Sequence, residues 1–406
     1  MHEKNLIRIY KLRNPIRDYE WGSKTFISNL LGRELPAEEP QAEMWLGTNP
    51  LSPSKVKING SEGSLLEIIN QDPKQMLGHK VAVKFGNKLP FLFKVLAAAS
   101  PLSLQAHPAS YLAEEGFRLE NEQNIPLGSP ERTYKDDNHK PELICALTGF
   151  EALCGFQPII EIVERVKYLG LEEHFLSIDK RESTSKNLKK IFLGIMSEHN
   201  DEQPKKISVL INKISAAKAR NDREILIFKW ITKLAVIYPY DMGVFAPLFL
   251  NLVKLSPGDA LFIDAGVLHS YLNGCGVEIM ANSDNVLRGG LTNKKVDLPQ
   301  LTKTLEFSAD SLMRIEPEKN NNEIFYKSPA NEFQLSKIIV IDDKDYINRN
   351  ILSAEILLCV GGEGKLTWSD DTLKISSGES VFVPQAISEY ICSGDMELFR
   401  AVVPIQ

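Results

Sequence analysis

Two stretches of this chain, set 120 residues apart (258 to 378, 269 to 389), carry the same spacing of turn residues. Gly258 is followed by five residues and then Asp264-Ala265-Gly266-Val267-Leu268-His269, with Asn273 closing the turn. Gly378 is followed by five residues and then Pro384-Gln385-Ala386-Ile387-Ser388-Glu389, with Ser393 at the matching end. An internal echo of this kind constrains the fold strongly, because a repeated pattern is a repeated piece of structure. The flanking runs Asp259-Ala260-Leu261-Phe262-Ile263 and Lys55-Val56-Lys57-Ile58-Asn59-Gly60 are short, partly alternating and closed by turn residues, as in antiparallel strands. The two copies differ where it matters for chemistry. All seven histidines lie at or before His269, so the last third of the chain offers no imidazole to a metal.

The first copy resembles the second conserved motif of the cupin β-barrels, in which the histidine is a metal ligand; it departs only in Asp264, where proline is usual. The second copy keeps the glycine and proline but has Glu389 in place of the histidine. Between the β regions the texture becomes helical. Apolar residues recur at three- and four-residue spacing in Ile159-Ile160-Ile162-Val163-Val166, Leu188-Ile191-Phe192-Ile195 and Ile207-Leu210-Ile211-Ile214, with charges opposite. The expected fold is mainly β with an α-helical insertion: tandem cupin (jelly-roll-like) barrels plus a helical domain. Residues 1–156 and 253–315 are assigned to the metal-binding barrel, 157–252 to the helical domain, and 316–406 to a C-terminal barrel without metal.

A length of 406 residues suggests two or three cores and room for an enclosed site. A net charge of -6 and a pI near 5.8 leave no basic face for nucleic acid, while a few local Lys and Arg can still hold a small anion. Five scattered cysteines, none in a C-x-x-C pair, argue against disulfides or a thiolate zinc knuckle and for a reducing cytoplasm. The polar start Met1-His2-Glu3-Lys4-Asn5 is no secretion signal, and the apolar stretch from Ala235 to Val253 is broken by Asp241 and two prolines, so no membrane span is expected.

Among the histidines, His2 sits at the terminus, and His174 and His199 fall in the charged helical block, where solvent is their expected neighbour; His79, His107, His139 and His269 remain. Strand alternation in Pro101-Leu102-Ser103-Leu104-Gln105-Ala106-His107-Pro108 puts Gln105 and His107 on one face, where two donors can converge on one ion. Glu142 stands just ahead of the apolar run Leu143–Leu147, and His269 sits at the barrel turn. Two imidazoles, a carboxylate and an amide oxygen suit a divalent ion that must also accept a substrate oxygen or water, and zinc is the first choice.

Several longer motifs occur in order: Tyr19-Glu20-Trp21-Gly22-Ser23, Glu43-Met44-Trp45-Leu46-Gly47, Leu92-Phe93-Lys94-Val95-Leu96, the Gln105/His107 run, Tyr134-Lys135-Asp136-Asp137-Asn138-His139-Lys140-Pro141-Glu142, Glu278-Ile279-Met280-Ala281-Asn282-Ser283-Asp284-Asn285 and Arg288-Gly289-Gly290-Leu291-Thr292. From Tyr10 to about Phe307 the chain resembles the type I mannose-6-phosphate (phosphomannose) isomerases, the bacterial ones especially. That resemblance implies one Zn2+ held by Gln105, His107, Glu142 and His269, an active-site arginine at Arg288, and interconversion of mannose 6-phosphate and fructose 6-phosphate. It also carries His139 and Asp284 into the substrate contacts. Asn49, Ser110 and Asn293 depart from the family's usual His, Lys and Pro, and none is a ligand.

Moving a proton between C2 and C1 through an enediol needs a base, a polarised carbonyl and a cation for the oxyanion. Arg288 is chosen for the cation. Glu278, Lys140, His139 and a zinc-bound water can each serve as base, with Glu278 preferred and Lys140 as proton shuttle. The phosphate is expected at Ser103 and Lys94, with Arg288 competing, and Trp21 and Tyr271 wall the sugar pocket. The partner expected is thus a small sugar phosphate, met by a monomer. Two other functions fit a cupin barrel: another isomerase or an iron oxygenase, and a sugar-phosphate sensor that has lost turnover.

Overall fold

The computed structural model describes residues 7–405 except 59, 176, 177, 180, 198–201, 342 and 343. The readings of His2 and His199 lie outside the described residues, as does the side chain of His174.

Two antiparallel sheets of 11 strands each make up the β structure. Sheet I is organised around the long strand His269–Ala281, which changes partners along its length. Gly274–Ala281 pairs with Phe91–Ala98, and Gly276–Met280 also pairs with Glu142–Ala146, while His269–Asn273 pairs with Phe150–Phe156 and touches Leu104–Ala106. The corner between the two halves falls at Gly274, whose φ is +121° and where a Cβ would sit 2.6 Å from the Gly149 carbonyl oxygen. Only glycine fits that turn.

Sheet II repeats the device with Tyr390–Val402 as its long strand and Gly394, φ +116°, as its corner. The echo read from the sequence is therefore structural: Ala260–Ile263 corresponds to Ser380–Val383, and Gly258 and Gly378 both take positive φ (92° and 83°). Glu389, at the place of His269, forms an ion pair with Arg349. Behind it Arg400 bridges Glu323 and Glu355 with Nη1···Oε1 and Nη2···Oε1 distances of 2.9 and 2.6 Å, and Tyr390 donates to Glu355 at 2.7 Å. These buried charges are paired and hydrogen-bonded, as burial requires.

One crossing was not anticipated. The strand Tyr10–Arg13 does not join sheet I but pairs with Ser380–Val383 of sheet II, and on its other side it takes Lys55–Ile58. Its alternation buries Tyr10 and Leu12. They enter a core that also contains Val95 and Val277 of sheet I and Ile356 and Phe382 of sheet II, so the two sheets share one hydrophobic cluster. Burial of each such side chain contributes roughly 1.5–3 kcal/mol.

The helical insertion runs from Ile159 to Phe249, between the paired strands Phe150–Phe156 and Leu250–Leu255. The predicted stripes are largely the buried ones: Ile162 and Val166, Leu188, Ile191, Phe192 and Ile195, and Ile207, Leu210 and Ile214 are buried, Ile159, Val163 and Ile211 are half-buried, and Ile160 turns to solvent on the opposite face. They cluster with Leu104, Ala106 and Phe156, which places the helices against the back of the strand carrying Gln105. Among the described residues no helix is long and apolar enough to cross a membrane.

Candidate metal centre and active site

Strand Leu104–Ala106 turns Leu104 and Ala106 into the helical core and leaves Gln105 on the other face. Gln105 stands opposite His269 on one side and Arg288 on the other. Glu142 opens its strand beside Ile263 and Met280. The result is a fully buried trio: donor atoms of His107, Glu142 and His269 lie within 4.8 Å of one another. His107 Nε2 is 3.2 Å from Glu142 Oε1, His269 Nε2 is 3.5 Å from Glu142 Oε2, and Gln105 Nε2 is 3.4 Å from His269 Nε2.

Both imidazoles are oriented from behind. His107 Nδ1 is 2.7 Å from the Asn285 carbonyl oxygen and His269 Nδ1 is 2.9 Å from that of Val267, so each donates through Nδ1 and turns Nε2 inward. Asn285 is fixed in turn. Its amide nitrogen donates to the Asp136 and Asn138 carbonyl oxygens at 2.8 and 3.0 Å, and the Asp136 carboxylate accepts from Ser283 Oγ at 2.7 Å and from the Asp284 backbone N–H at 2.8 Å.

His107 Nε2 and Glu142 Oε2 are buried and make no hydrogen bond among the described residues, a costly state for a polar atom unless something else binds it. Burial, the Lys140 charge and His269 together push His107 down to about 4, which keeps its ring neutral and able to ligate. Burial alone would raise Glu142, but Lys140, 3.0 Å away, and His107 hold it well below the ordinary carboxylate range. An anionic carboxylate, two neutral imidazoles and an adjacent amide oxygen fit a zinc ion. Cys154 pairs with His269 across the sheet, yet burial lifts its thiol to about 12, so a thiolate is not part of this donor set.

Glu278, facing Lys94 in the neighbouring strand, behaves oppositely to Glu142. Burial raises it despite Lys94, whose ammonium is 3.3 Å away; Glu142 and Glu43 raise it further. Tyr271, held protonated by burial and by Glu278, donates to Glu278 Oε1 at 2.9 Å and packs edge-on against Phe150. Two carboxylates whose environments push them apart are a frequent mark of acid–base division of labour.

Lys94 does not meet the phosphate expectation. It is 5% exposed, with Glu43 Oε1 at 3.5 Å and Glu278 Oε2 at 3.3 Å, so its charge is already matched by two carboxylates. Arg288 is half-buried, lowered by burial alone, and makes no hydrogen bond or ion pair among the described residues. Lys294 feels the Arg288 charge, and its ammonium likewise makes no hydrogen bond or ion pair among the described residues. Sequence reasoning gave this second cation no role, although it lies only six residues beyond Arg288 and just past the motif that ends at Thr292. Ser103 donates to Gln105 Oε1 at 3.4 Å, Trp21 stacks on Tyr19 at 5.7 Å, and Asp284 Oδ1 accepts from Asn49 at 3.4 Å. His139 has Glu332 as its hydrogen-bond partner, at 3.0 Å.

Three family models match in order: the type I phosphomannose isomerase catalytic domain over residues 9–159, its helical insertion domain over 170–250, and the mannose-6-phosphate isomerase cupin domain over 323–403. Mannose-6-phosphate isomerase of Escherichia coli K12 is 37% identical over 393 residues, covering 96% of this chain and 98% of that protein. The chain belongs to the type I phosphomannose isomerases. The human mannose-6-phosphate isomerase is 34% identical, with 87% and 88% of the two chains covered. A crystal structure of a phosphomannose isomerase variant from Salmonella typhimurium superposes with a TM-score of 0.90 at 37% identity, over 98% of this chain and 100% of that one. A zinc-bound mannose 6-phosphate isomerase gives 0.89 at 36% identity over the same shares. In this phosphomannose isomerase the helical insertion thus packs behind the Gln105 strand, and the cupin-domain match falls on sheet II.

Proposed function

We propose that this chain is a zinc-dependent aldose–ketose isomerase interconverting mannose 6-phosphate and fructose 6-phosphate through an enediol, as a cytoplasmic monomer. The observation that carries the reading is the buried His107–Glu142–His269 trio with two unsatisfied donor atoms, placed next to Gln105 and the unpaired Arg288. Five free, buried cysteines support a reducing compartment.

Gln105, His107, Glu142 and His269 would hold the zinc, with Asn285 and Val267 carbonyls fixing the rings. Bound there, the ion supplies Lewis acidity toward the sugar's carbonyl oxygen. Glu278, raised by burial, takes the C2 proton of the aldose and delivers it to C1, and the Tyr271 hydroxyl steadies the carboxylate between the two transfers. Lys140 gives a proton to O1 and recovers one from O2. Arg288 hydrogen-bonds the oxyanion as it develops. Lys294 and Ser103 meet the phosphate, Asp284 a sugar hydroxyl, and Trp21 with Tyr271 the sugar's face.

A coupled assay for fructose 6-phosphate tests the reading. Turnover of mannose 6-phosphate should vanish on chelation and return with zinc. Absence of product from the untreated protein, or recovery with ferrous iron but not zinc, refutes it.

A further inference from the structure

The segment Asp136–Lys140 leads into the strand that opens with Glu142 of the buried trio and is pinned at both ends. Asp136 and the Asn138 carbonyl are tied to residues 283–285, and Lys140 is tied to Glu142. Its fourth residue, His139, reaches outside sheet I altogether. His139 Nε2 lies 3.0 Å from Oε1 of Glu332, a residue 193 positions later in the loop between strands Glu323–Tyr326 and Gln334–Val340 of sheet II.

Glu332 is well placed to act as a fixed point. The next residue, Phe333, is fully buried in the core the two sheets share, and Asn331 Oδ1 accepts from Lys84 at 3.3 Å. The pair is partly shielded, with side chains 31% and 15% exposed, which distinguishes it from the solvated ion pairs that contribute little. Lys140 follows His139 directly, so a shift of the imidazole moves the backbone that aims the Lys140 ammonium.

We infer that Glu332 is a positioning residue for the isomerisation: through His139 it lets sheet II set the place of the Asp136–Lys140 segment beside the metal centre. The inference rests on the isomerase reading above, and it gives the C-terminal barrel a part in turnover. An error of about 1 Å in a catalytic group is enough to cost a large fraction of the rate. The expected effect is therefore on kcat, with zinc content unchanged because neither His139 nor Glu332 is bonded to any of the four donors.

The test is a double-mutant cycle on the zinc-loaded, full-length enzyme. Glu332→Ala, or Glu332→Thr if the alanine variant does not accumulate, should lower kcat at least about tenfold with KM within twofold and zinc content unchanged. Glu332→Gln keeps an acceptor oxygen for Nε2–H and should recover kcat to within about threefold of the parent. The doubly substituted His139→Ala/Glu332→Ala enzyme should be no slower than His139→Ala alone, because both changes cut the same link. A kcat within twofold of the parent in the Glu332→Ala or Glu332→Thr enzyme overturns the inference, as do two single losses that multiply in the double variant. An inactive parent would instead sink the isomerase reading, so the two failures are distinguishable.

Discussion

Replacing Lys94 with methionine removes a cation from between two carboxylates without opening a cavity, since the side chains are similar in volume. The ammonium is 3.3 Å from Glu278 and 3.5 Å from Glu43. At an effective dielectric near 20 each contact represents on the order of 5 kcal/mol of Coulomb energy, much of it offset by the cost of burying the charges. What the substitution leaves is two buried carboxylates with no cation between them, a state expected to cost about 3–5 kcal/mol of stability. Glu278 relieves part of this by taking up a proton, because burial already raises it and Lys94 is the first group holding it down. For a carboxyl raised in the fold, the penalty is fully present above the folded value and fades as pH falls toward the unfolded one. Urea unfolding of Lys94→Met should thus show a larger deficit at pH 8 than at pH 5, and the acid limb of its kcat profile should move to higher pH. A variant that unfolds at the parent's urea concentration at both pH values, with an unmoved acid limb, refutes the assignment of Lys94 as the counter-ion of Glu278.

Three further outcomes follow from the same geometry. Arg288→Ala should lower turnover by about 10²–10³-fold, the usual cost of losing an oxyanion donor, while metal analysis finds zinc unchanged; near-parental turnover would move the oxyanion role elsewhere. Glu278→Gln should slow exchange of the substrate C2 proton with solvent far more than it weakens binding, and NMR in deuterated buffer reads this directly. In the metal-free protein His107 is depressed to about 4 and Glu142 is also lowered. Stability stored in the neutral ring is present above the ordinary histidine value near 6.5 and lost as pH falls toward 4, and that stored in the carboxylate goes at still lower pH. Zinc-stripped enzyme should therefore soften from about pH 6.5 downward, which a series of thermal melts will show.

Residues whose role depends on local spacing were legible in the sequence. Gln105 and His107 share a face because strands alternate, and the turn before His269 announces itself through Gly258 and its echo at Gly378. The helical stripes were equally plain, since each amphipathic helix buries one face on a neighbour whatever that neighbour is. What stayed hidden was set by tertiary crossing. Asn285 orients His107 through a main-chain carbonyl, which no side-chain pattern betrays. Glu43 neutralises Lys94 only because strand Glu43–Leu46 pairs with Phe91–Ala98, so a lysine that looked free for phosphate was already occupied. Glu332 reaches His139 across 193 positions. The placement of Tyr10–Arg13 in sheet II likewise has no local signature, because a short alternating strand fits either sheet.

That last placement bears on the order in which the chain can be completed during synthesis. Tyr10 leaves the ribosome long before its partner Phe382. One side of the strand Tyr10–Arg13, the side away from Lys55–Ile58, must wait while some 370 intervening residues are made, at roughly 5–20 residues per second. Sheet II therefore cannot close before Ser380–Val383 has been made, and with it the shared core that steadies Phe333 and the Glu332 loop. A nascent chain halted at residue 320 would hold every proposed zinc donor and still lack the strands of sheet II that complete the shared core, so the stretch beyond it decides when the metal centre gains its support.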